Sequence, residues 1–205
     1  MTEDHQRAAA EALFCERVLA KTGDSVLLET LAGVDTPTSW EHYPKGEVYD
    51  PETGAQWYYH CHEPAHESGE HGHFHCFLRP LGPDGPIHHL IAVGVDAHGR
   101  LKRLFTVNQW VVGDDWLNAA DTIALLPRFD VHLGRPSYLV NRWLTAVIRL
   151  YDDEIASLIR TRDDVIAHHQ PTDPSVSTHE DRTLELTSEF YANLQDKAEN
   201  LDVSA

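Results

Sequence analysis

A run of strand-like segments in the middle of the chain most constrains its fold. The segment "AQWYYHCH" is rich in aromatic residues, "HFHCFLR" alternates with a period of two, and "IHHLIAVGVD" is joined to "AHGRLKRLFTVNQW" through His98 and Gly99. Alternating aromatic and β-branched residues are typical of strands, and a short turn between two such segments is typical of a hairpin. We therefore expect a four-stranded antiparallel meander, to which "WEHYPKGEVYDPETG" can add one edge strand.

Apolar residues recur at helical spacing on both sides of these segments. The predicted helices are an N-terminal one over residues 3–19, a short one over 25–31, one over 116–124 capped by Asp114 or Asp115, a long one from just after Pro136 to Ile159, and a last one that starts at a capping box of Ser177 and Glu180 and runs to Leu201. This order predicts an α+β fold with a four- to five-stranded antiparallel sheet and helices packed on one side. Residues 1–169 would form a single domain, and residues 170–205 a linker and C-terminal helix.

Charge and hydropathy exclude several classes of partner. The chain has 16 Lys and Arg against 33 Asp and Glu, a formal net charge of -17, which would repel nucleic acid and anionic lipid. The N-terminal residues do not resemble a secretory leader, and no stretch approaches the roughly 18 apolar residues of a membrane span. Three cysteines without CxxC spacing fit reduced thiols better than a Cys61–Cys76 bridge. We expect a cytoplasmic protein whose partner is a small-molecule substrate.

Histidines are concentrated in two of the predicted strands. In "EHGHFHCF" (70–77), His73 and His75 leave the same face of a strand about 6.5 to 7 Å apart, which is close enough for both to bind one ion. His60 and His62 share a face of the preceding strand in the same way. If the two strands pair in register, these two pairs face each other, and Cys61 and Cys76 point to the opposite face as buried apolar residues.

His71 continues the row but raises a geometric problem. On a regular strand it lies about 13 Å from His75, so it can join the same ion only if Gly72 breaks the strand. Glu70 or Glu67 could add a carboxylate to two histidines, as in non-heme iron oxygenases. Of His88 and His89, which point to opposite faces, at most one can join the site.

Imidazole ligands favour a transition metal, with iron or copper preferred and zinc also compatible. The leading hypothesis is a metal-dependent oxidoreductase with His73 and His75 as ligands, supplemented from His60, His62, His71 and Glu70. Asn108 could orient a substrate, and Arg142 or Arg149 could hold an anionic one, although a strand-end amide and a solvated salt-bridge face explain the same residues.

Three alternatives use other chemistry. A zinc hydrolase would use Glu70 as the base. A noncatalytic metal or heme sensor or carrier would use the same histidines without a substrate, and a protein-interaction module would bind no metal. Histidine-rich loops that bind metal loosely, and histidines that act only as acids, bases or hydrogen-bonding groups, remain further explanations of the cluster. Dinucleotide, P-loop, GxSxG and HExxH motifs are absent from the sequence.

The blocks "WEHYPKGEVYDPETG", "EHGHFHCFLRP" and "VNRWLTA" resemble the recurring blocks of an uncharacterised bacterial domain family of unknown function. The resemblance covers the chain from about Thr38 to Arg162 and implies one bacterial domain. It implies no reaction and assigns no catalytic residue. The HxH strand is also similar to that of cupins, but the glycine and glutamate spacing of the cupin motif is not matched.

Overall fold

A six-stranded antiparallel sheet is the centre of the computed structural model, which describes residues 3–39, 41–61 and 69–203. The order of the strands in the sheet is their order in the chain, so the sheet is an open meander. The strands are β1 (Tyr43–Tyr49), β2 (Ala55–Cys61), β3 (Glu70–Leu78), β4 (His88–Asp96), β5 (Leu101–Val107) and β6 (Leu186–Tyr191). The predicted α+β class and antiparallel sheet are confirmed, but the predicted four to five strands are too few.

The helices come before, between and after the strands in the chain. They are α1 (Glu3–Ala20), α2 (Val26–Thr30), α3 (Gln109–Val112), α4 (Ala119–Leu125), α5 (Tyr138–Leu150), α6 (Asp152–His168) and α7 (Leu194–Glu199), with short 3₁₀ helices at Leu126–Arg128 and Thr178–Glu180. Ser25 caps α2 by accepting a hydrogen bond from the Leu28 amide. The cap predicted for α4 was wrong, because Asn118 caps that helix and Asp114 instead accepts a hydrogen bond from the His89 amide.

The long helix predicted after Pro136 is two helices. α5 ends at Leu150, and Tyr151, with φ -110° and ψ 23°, separates it from α6. Three acidic residues follow in the first turn of α6, where negative charge is favourable at a helix N-terminus. The apolar stripe continues across the break, which is why periodicity alone predicts a single helix.

One face of the sheet carries the main hydrophobic core. The buried side chains of Trp57 and Phe74 lie on this face with ring centroids 5.5 Å apart, and Phe74 is 6.2 Å from the ring of Trp143 in α5. The Trp57 indole N–H donates a 2.9 Å hydrogen bond to Oδ1 of Asn141, also in α5. Helices α1, α5 and α6 contribute residues to this same core. Among the described residues, no helix is long and apolar enough to cross a membrane.

The opposite face carries a smaller apolar cluster together with His60, His73 and His75. Ala92, Phe105 and Val107 form that cluster, and Val111 and Val112 from α3 pack against it. Because side chains alternate along a strand, the helix-covered face takes the apolar residues of β2 and β3 and leaves His60, His73 and His75 on the other face.

Candidate metal centre

The register between β2 and β3 brings histidines from both strands together. His60 lies directly opposite His73, and Tyr58 lies opposite His75. Directly opposed residues of an antiparallel pair share one face with short Cβ separations. The predicted pairing of the two histidine-bearing strands is therefore present for His60, His73 and His75. His62 and Glu67 lie outside the described residues.

Three imidazole nitrogens converge at this point. His73 Nε2 lies 2.6 Å from His60 Nε2 and 3.1 Å from His75 Nε2. The three side chains are buried, with exposed fractions of 6% for His60, 5% for His73 and 1% for His75. Two nitrogen ligands of one ion, each about 2.0 to 2.1 Å from it, stand about 3 Å apart. This buried group can hold a metal ion.

Glu70 orients the central histidine. His73 Nδ1 lies 2.9 Å from Glu70 Oε1, and Arg103 Nε donates a 2.5 Å hydrogen bond to Glu70 Oε2. Burial by itself would raise the pKa of Glu70, but the hydrogen bonds from His73 and Arg103 outweigh it and hold that pKa below its usual value. A carboxylate accepts but cannot donate, so His73 Nδ1 carries the hydrogen and Nε2 presents its lone pair. Carboxylates commonly orient metal-binding histidines in this way.

The space for the Glu70 carboxylate exists because Gly94 has no side chain. Gly94 lies opposite His73 on one side and Arg103 on the other. A Cβ atom at Gly94 would stand 2.3 Å from Glu70 Oε2. The carboxylate therefore occupies the position between histidine and arginine that a side chain from β4 would otherwise fill.

A register shift separates His71 from the other histidines. The pairing of β3 with β4 shifts by one residue between Glu70 and Gly72. His71 Nδ1 lies 2.6 Å from the hydroxyl of Tyr59, a residue of the main core. The structure therefore places Glu70 beside His73 and does not bring His71 into the group of converging nitrogens.

A second register shift brings His89 to the site. It falls between Cys76 and Phe77 of β3, where β4 contains one extra residue, Leu90. The His89 Nε2 atom lies 3.1 Å from His75 Nδ1. Burial lowers the pKa of His75 well below its usual value and, with the nearby charge of Arg162, lowers the pKa of His89 to about 3. Both rings are therefore neutral at pH 7, the state in which imidazole binds metals.

The pattern of lone pairs fits an ion better than it fits hydrogen bonds alone. His73 Nε2 has one lone pair, which makes a good hydrogen bond to one N–H only. Two other ring nitrogens nevertheless lie within 3.1 Å of it. An ion between the three would accept a lone pair from each. Because Glu70 is already held by Arg103 and His73, the available ligand set is three histidines rather than two histidines and a carboxylate.

A cavity of about 490 Å³ reaches two of these histidines. Its described lining includes His60 and His73 at one end and the side chains of Phe105, Trp110 and Val111. His75 is not part of the described lining and is more deeply buried than the other two. An ion held by the three imidazoles would thus be approached from one side.

Three predicted site residues lie elsewhere. Asn108 accepts a hydrogen bond from the Gln109 amide at the start of α3 and donates one to the Thr178 carbonyl, which is a structural role. Arg142 forms ion pairs with Glu11 and Asp130 on the helical side of the sheet. Arg149 also pairs with Asp130. The structure does not bring these three residues to the histidines.

Arg103 and Trp110 were not predicted as site residues, and His89 was named only as one of two histidines of which at most one could join the site. Arg103 carried a usable signal, since it shares a strand face with Phe105 and the other buried residues of β5 are uncharged. His89 could not be assigned to a face, because the extra residue in β4 breaks the alternation. Cys61 and Cys76 lie buried in the main core, as expected.

Comparison with known proteins gives a family but no reaction. No curated protein and no solved structure matches the chain significantly. The family model described as a domain of unknown function, DUF6969, matches residues 6–192, which include all six strands and every residue of the candidate metal centre. The chain therefore belongs to the DUF6969 family.

Proposed function

We propose that this protein is a metal-dependent oxidoreductase whose iron or copper ion is held by His60, His73 and His75. The convergence of the three buried Nε2 atoms beside a cavity carries the proposal. Neutral imidazoles suit iron, copper and zinc, whereas calcium and magnesium prefer oxygen ligands. Three protein ligands leave room for a further ligand, as in catalytic metal sites. Bound there, iron or copper would supply electron transfer and an open position at which a substrate is polarised.

Neighbouring side chains hold the rings of the metal-binding histidines in position. Glu70 and Arg103 hold the ring of His73, and His89 lies against Nδ1 of His75. Such support fixes which ring nitrogen faces the ion and limits the motion of the ligands. The apolar cluster of Phe105 and Val107 lies beside the same histidines and restricts the access of water.

The position of Glu70 favours redox chemistry over the hydrolytic alternative. A zinc hydrolase built on this site would use Glu70 to activate water, but both of its oxygens are engaged by His73 and Arg103. A carboxylate with a lowered pKa is also a weaker base.

Metal analysis of the untagged protein tests the proposal. After separate reconstitution with iron, copper and zinc, we expect about one tightly bound ion per chain. We expect His60→Ala, His73→Ala and His75→Ala each to lose it while retaining the circular dichroism spectrum of the sheet. His71→Ala is the matched control, since His71 lies on the same strand but contacts Tyr59 instead. This variant should keep its metal.

Two results would contradict the proposal. Failure of the wild-type protein to retain any of the three metals would remove the metal-dependent function altogether. Retention of zinc together with exclusion of iron and copper would remove the redox chemistry and favour a zinc enzyme. Retention of iron or copper, followed by a change in its absorption spectrum on adding azide, would support an open coordination position.

A further inference from the structure

The cavity beside the histidines has walls of a definite chemical character. Phe105 and Val107 come from β5, and Trp110 and Val111 come from α3. On the β2 side, the ring of Tyr58 is stacked with that of His42, with centroids 3.6 Å apart and planes 8° apart. Flat aromatic rings therefore border the cavity on two sides.

The spacing of the strands sets the width between these two walls. Tyr58, His75, Ala92 and Phe105 follow one another across β2 to β5 as directly paired residues. Neighbouring strands lie about 4.8 Å apart, so three strand spacings place the Cα atoms of Tyr58 and Phe105 about 14 Å apart. Between two such walls there is room for a flat molecule larger than water, and the volume of about 490 Å³ lies within the range of small-molecule sites.

The charged side chains in the described lining are Arg103 and Glu185. Neither of them offers an unpaired positive charge. Arg103 is neutralised by Glu70 and by Glu189, whose Oε2 lies 3.0 Å from its Nη1 atom. An anionic group far from the metal ligands would thus meet no unpaired positive charge in this lining. The lining therefore does not favour an anionic ligand body, and its aromatic and aliphatic side chains favour an apolar one.

Trp110 is held in place from two directions. Its indole N–H donates a 2.8 Å hydrogen bond to the Leu184 carbonyl, and the Arg182 guanidinium lies 4.6 Å from the ring centroid. A ring positioned in advance loses little conformational entropy when a ligand stacks on it. Trp110 is therefore suited to act as a fixed stacking surface.

We propose, building on the metal-dependent function above, that the substrate is a small aromatic molecule with one oxygen-bearing, metal-binding head group. The head group would reach the ion at His60 and His73, and the uncharged ring would lie against Trp110, Val111 and Phe105. Because Arg103 is paired and Arg142 lies on the other side of the sheet, the described lining has no unpaired arginine to recognise a second anionic group.

Two probes with the same head group test this inference. Acetohydroxamate and benzohydroxamate both bind metals through the hydroxamate, and they differ only in a methyl or a phenyl body. Titrated into the metal-loaded protein, benzohydroxamate should bind about tenfold more tightly or better, because its ring is buried against aromatic walls. The Trp110→Ala variant should reduce this ratio severalfold, and Val111→Phe, which fills the cavity, should do the same if Trp110→Ala fails to fold. Phe14→Ala is the control, because Phe14 is an exposed aromatic residue of α1 outside this lining.

The outcomes separate this inference from the proposed function. Metal binding with equal affinity for the two probes, or with a ratio unchanged in both cavity variants, would overturn the aromatic substrate class and leave the metal site standing. If the protein retains no metal, toluene is used as a probe that needs none. A change in tryptophan fluorescence on adding toluene, lost both in Trp110→Ala and in Val111→Phe, would then support the aromatic cavity while the metal-dependent function fails. No response to toluene would overturn both.

Discussion

At the scale of single residues, the site depends on a carboxylate that occupies the space over a glycine. A Cβ atom at Gly94 would stand 2.3 Å from Glu70 Oε2 and 3.1 Å from Arg103 Cγ. Real Cβ atoms do not approach so closely, so Glu70 must move if Gly94 gains a side chain. Since Glu70 orients His73, a side chain added at Gly94 in β4 should displace the metal ligand His73 in β3.

We therefore expect Gly94→Ala to weaken metal binding by about 10- to 100-fold, the usual effect of losing a group that supports a metal ligand. Titration against a chromophoric chelator would measure the affinity. Gly134→Ala is the matched control, since a Cβ atom there meets nothing within 4 Å. Equal affinities in the two variants would mean that Glu70 does not orient His73.

The two carboxylates that contact Arg103 should differ in importance. Glu70 contacts both Arg103 and His73, whereas Glu189 pairs with Arg103 from a more exposed position. We expect Glu70→Gln to lower metal affinity by about 10-fold or more and Glu189→Gln to change it much less. A larger loss in Glu189→Gln, measured with the same chelator, would contradict this assignment.

At the scale of elements, strands with a local sequence signal could be predicted and a strand without one could not. β2 was found from its aromatic residues, β3 from its period-two alternation, and β4 and β5 from the turn at His98 and Gly99. β6 was missed and predicted as helix, because its pattern is inverted: Thr187 and Ser188 are buried, while Leu186, Phe190 and Tyr191 are exposed. Hydrophobicity therefore gave no strand signal, and the same apolar residues matched helical spacing by chance.

The candidate site shows the same limit. His60 and His73 lie opposite each other because β2 and β3 are regular strands paired in register, and this could be predicted. The contacts of Glu70, His71 and His89 depend on one-residue shifts in the pairing of β3 with β4. A one-residue shift exchanges the faces of a strand, and nothing in the local composition marks where it occurs.

One hydrogen bond ties the helical layer to the sheet that carries the site. Asn141 accepts from the Trp57 indole and donates to the carbonyls of Leu133 and Arg135, and it is fully buried. Asn141→Ala would leave buried donors and acceptors unpaired, so we expect the free energy of unfolding to fall by about 1 to 3 kcal/mol. Asn200→Ala, at an exposed position, should change it by less than about 0.5 kcal/mol. Urea denaturation would measure both, and equal values would show that this bond does not stabilise the packing of α5 on β2.

At the scale of the whole molecule, cation binding that arises from the net charge of -17 must be distinguished from metal binding at the histidines. An acidic protein attracts cations generally, and His5, Asp152 and Asp153 form a second group on the surface whose side chains converge. Its two carboxylates are exposed, so an ion there would remain hydrated and be weakly held. The buried histidines differ because they lie on two adjacent strands, β2 and β3, and an ion between them would link the strands directly.

Linkage between metal binding and folding provides the last prediction. An ion that binds only the folded chain, at a concentration about 100 times its Kd, stabilises it by about 2.7 kcal/mol. For a chain of this size that corresponds to a rise in Tm of roughly 5 to 11 °C. We expect this rise in the wild-type protein and in His71→Ala but not in His73→Ala, when each is melted with and without the metal that the wild-type protein retains. An equal rise in His73→Ala would place the stabilising ion away from β2 and β3, with the surface group of His5, Asp152 and Asp153 as the next position to substitute.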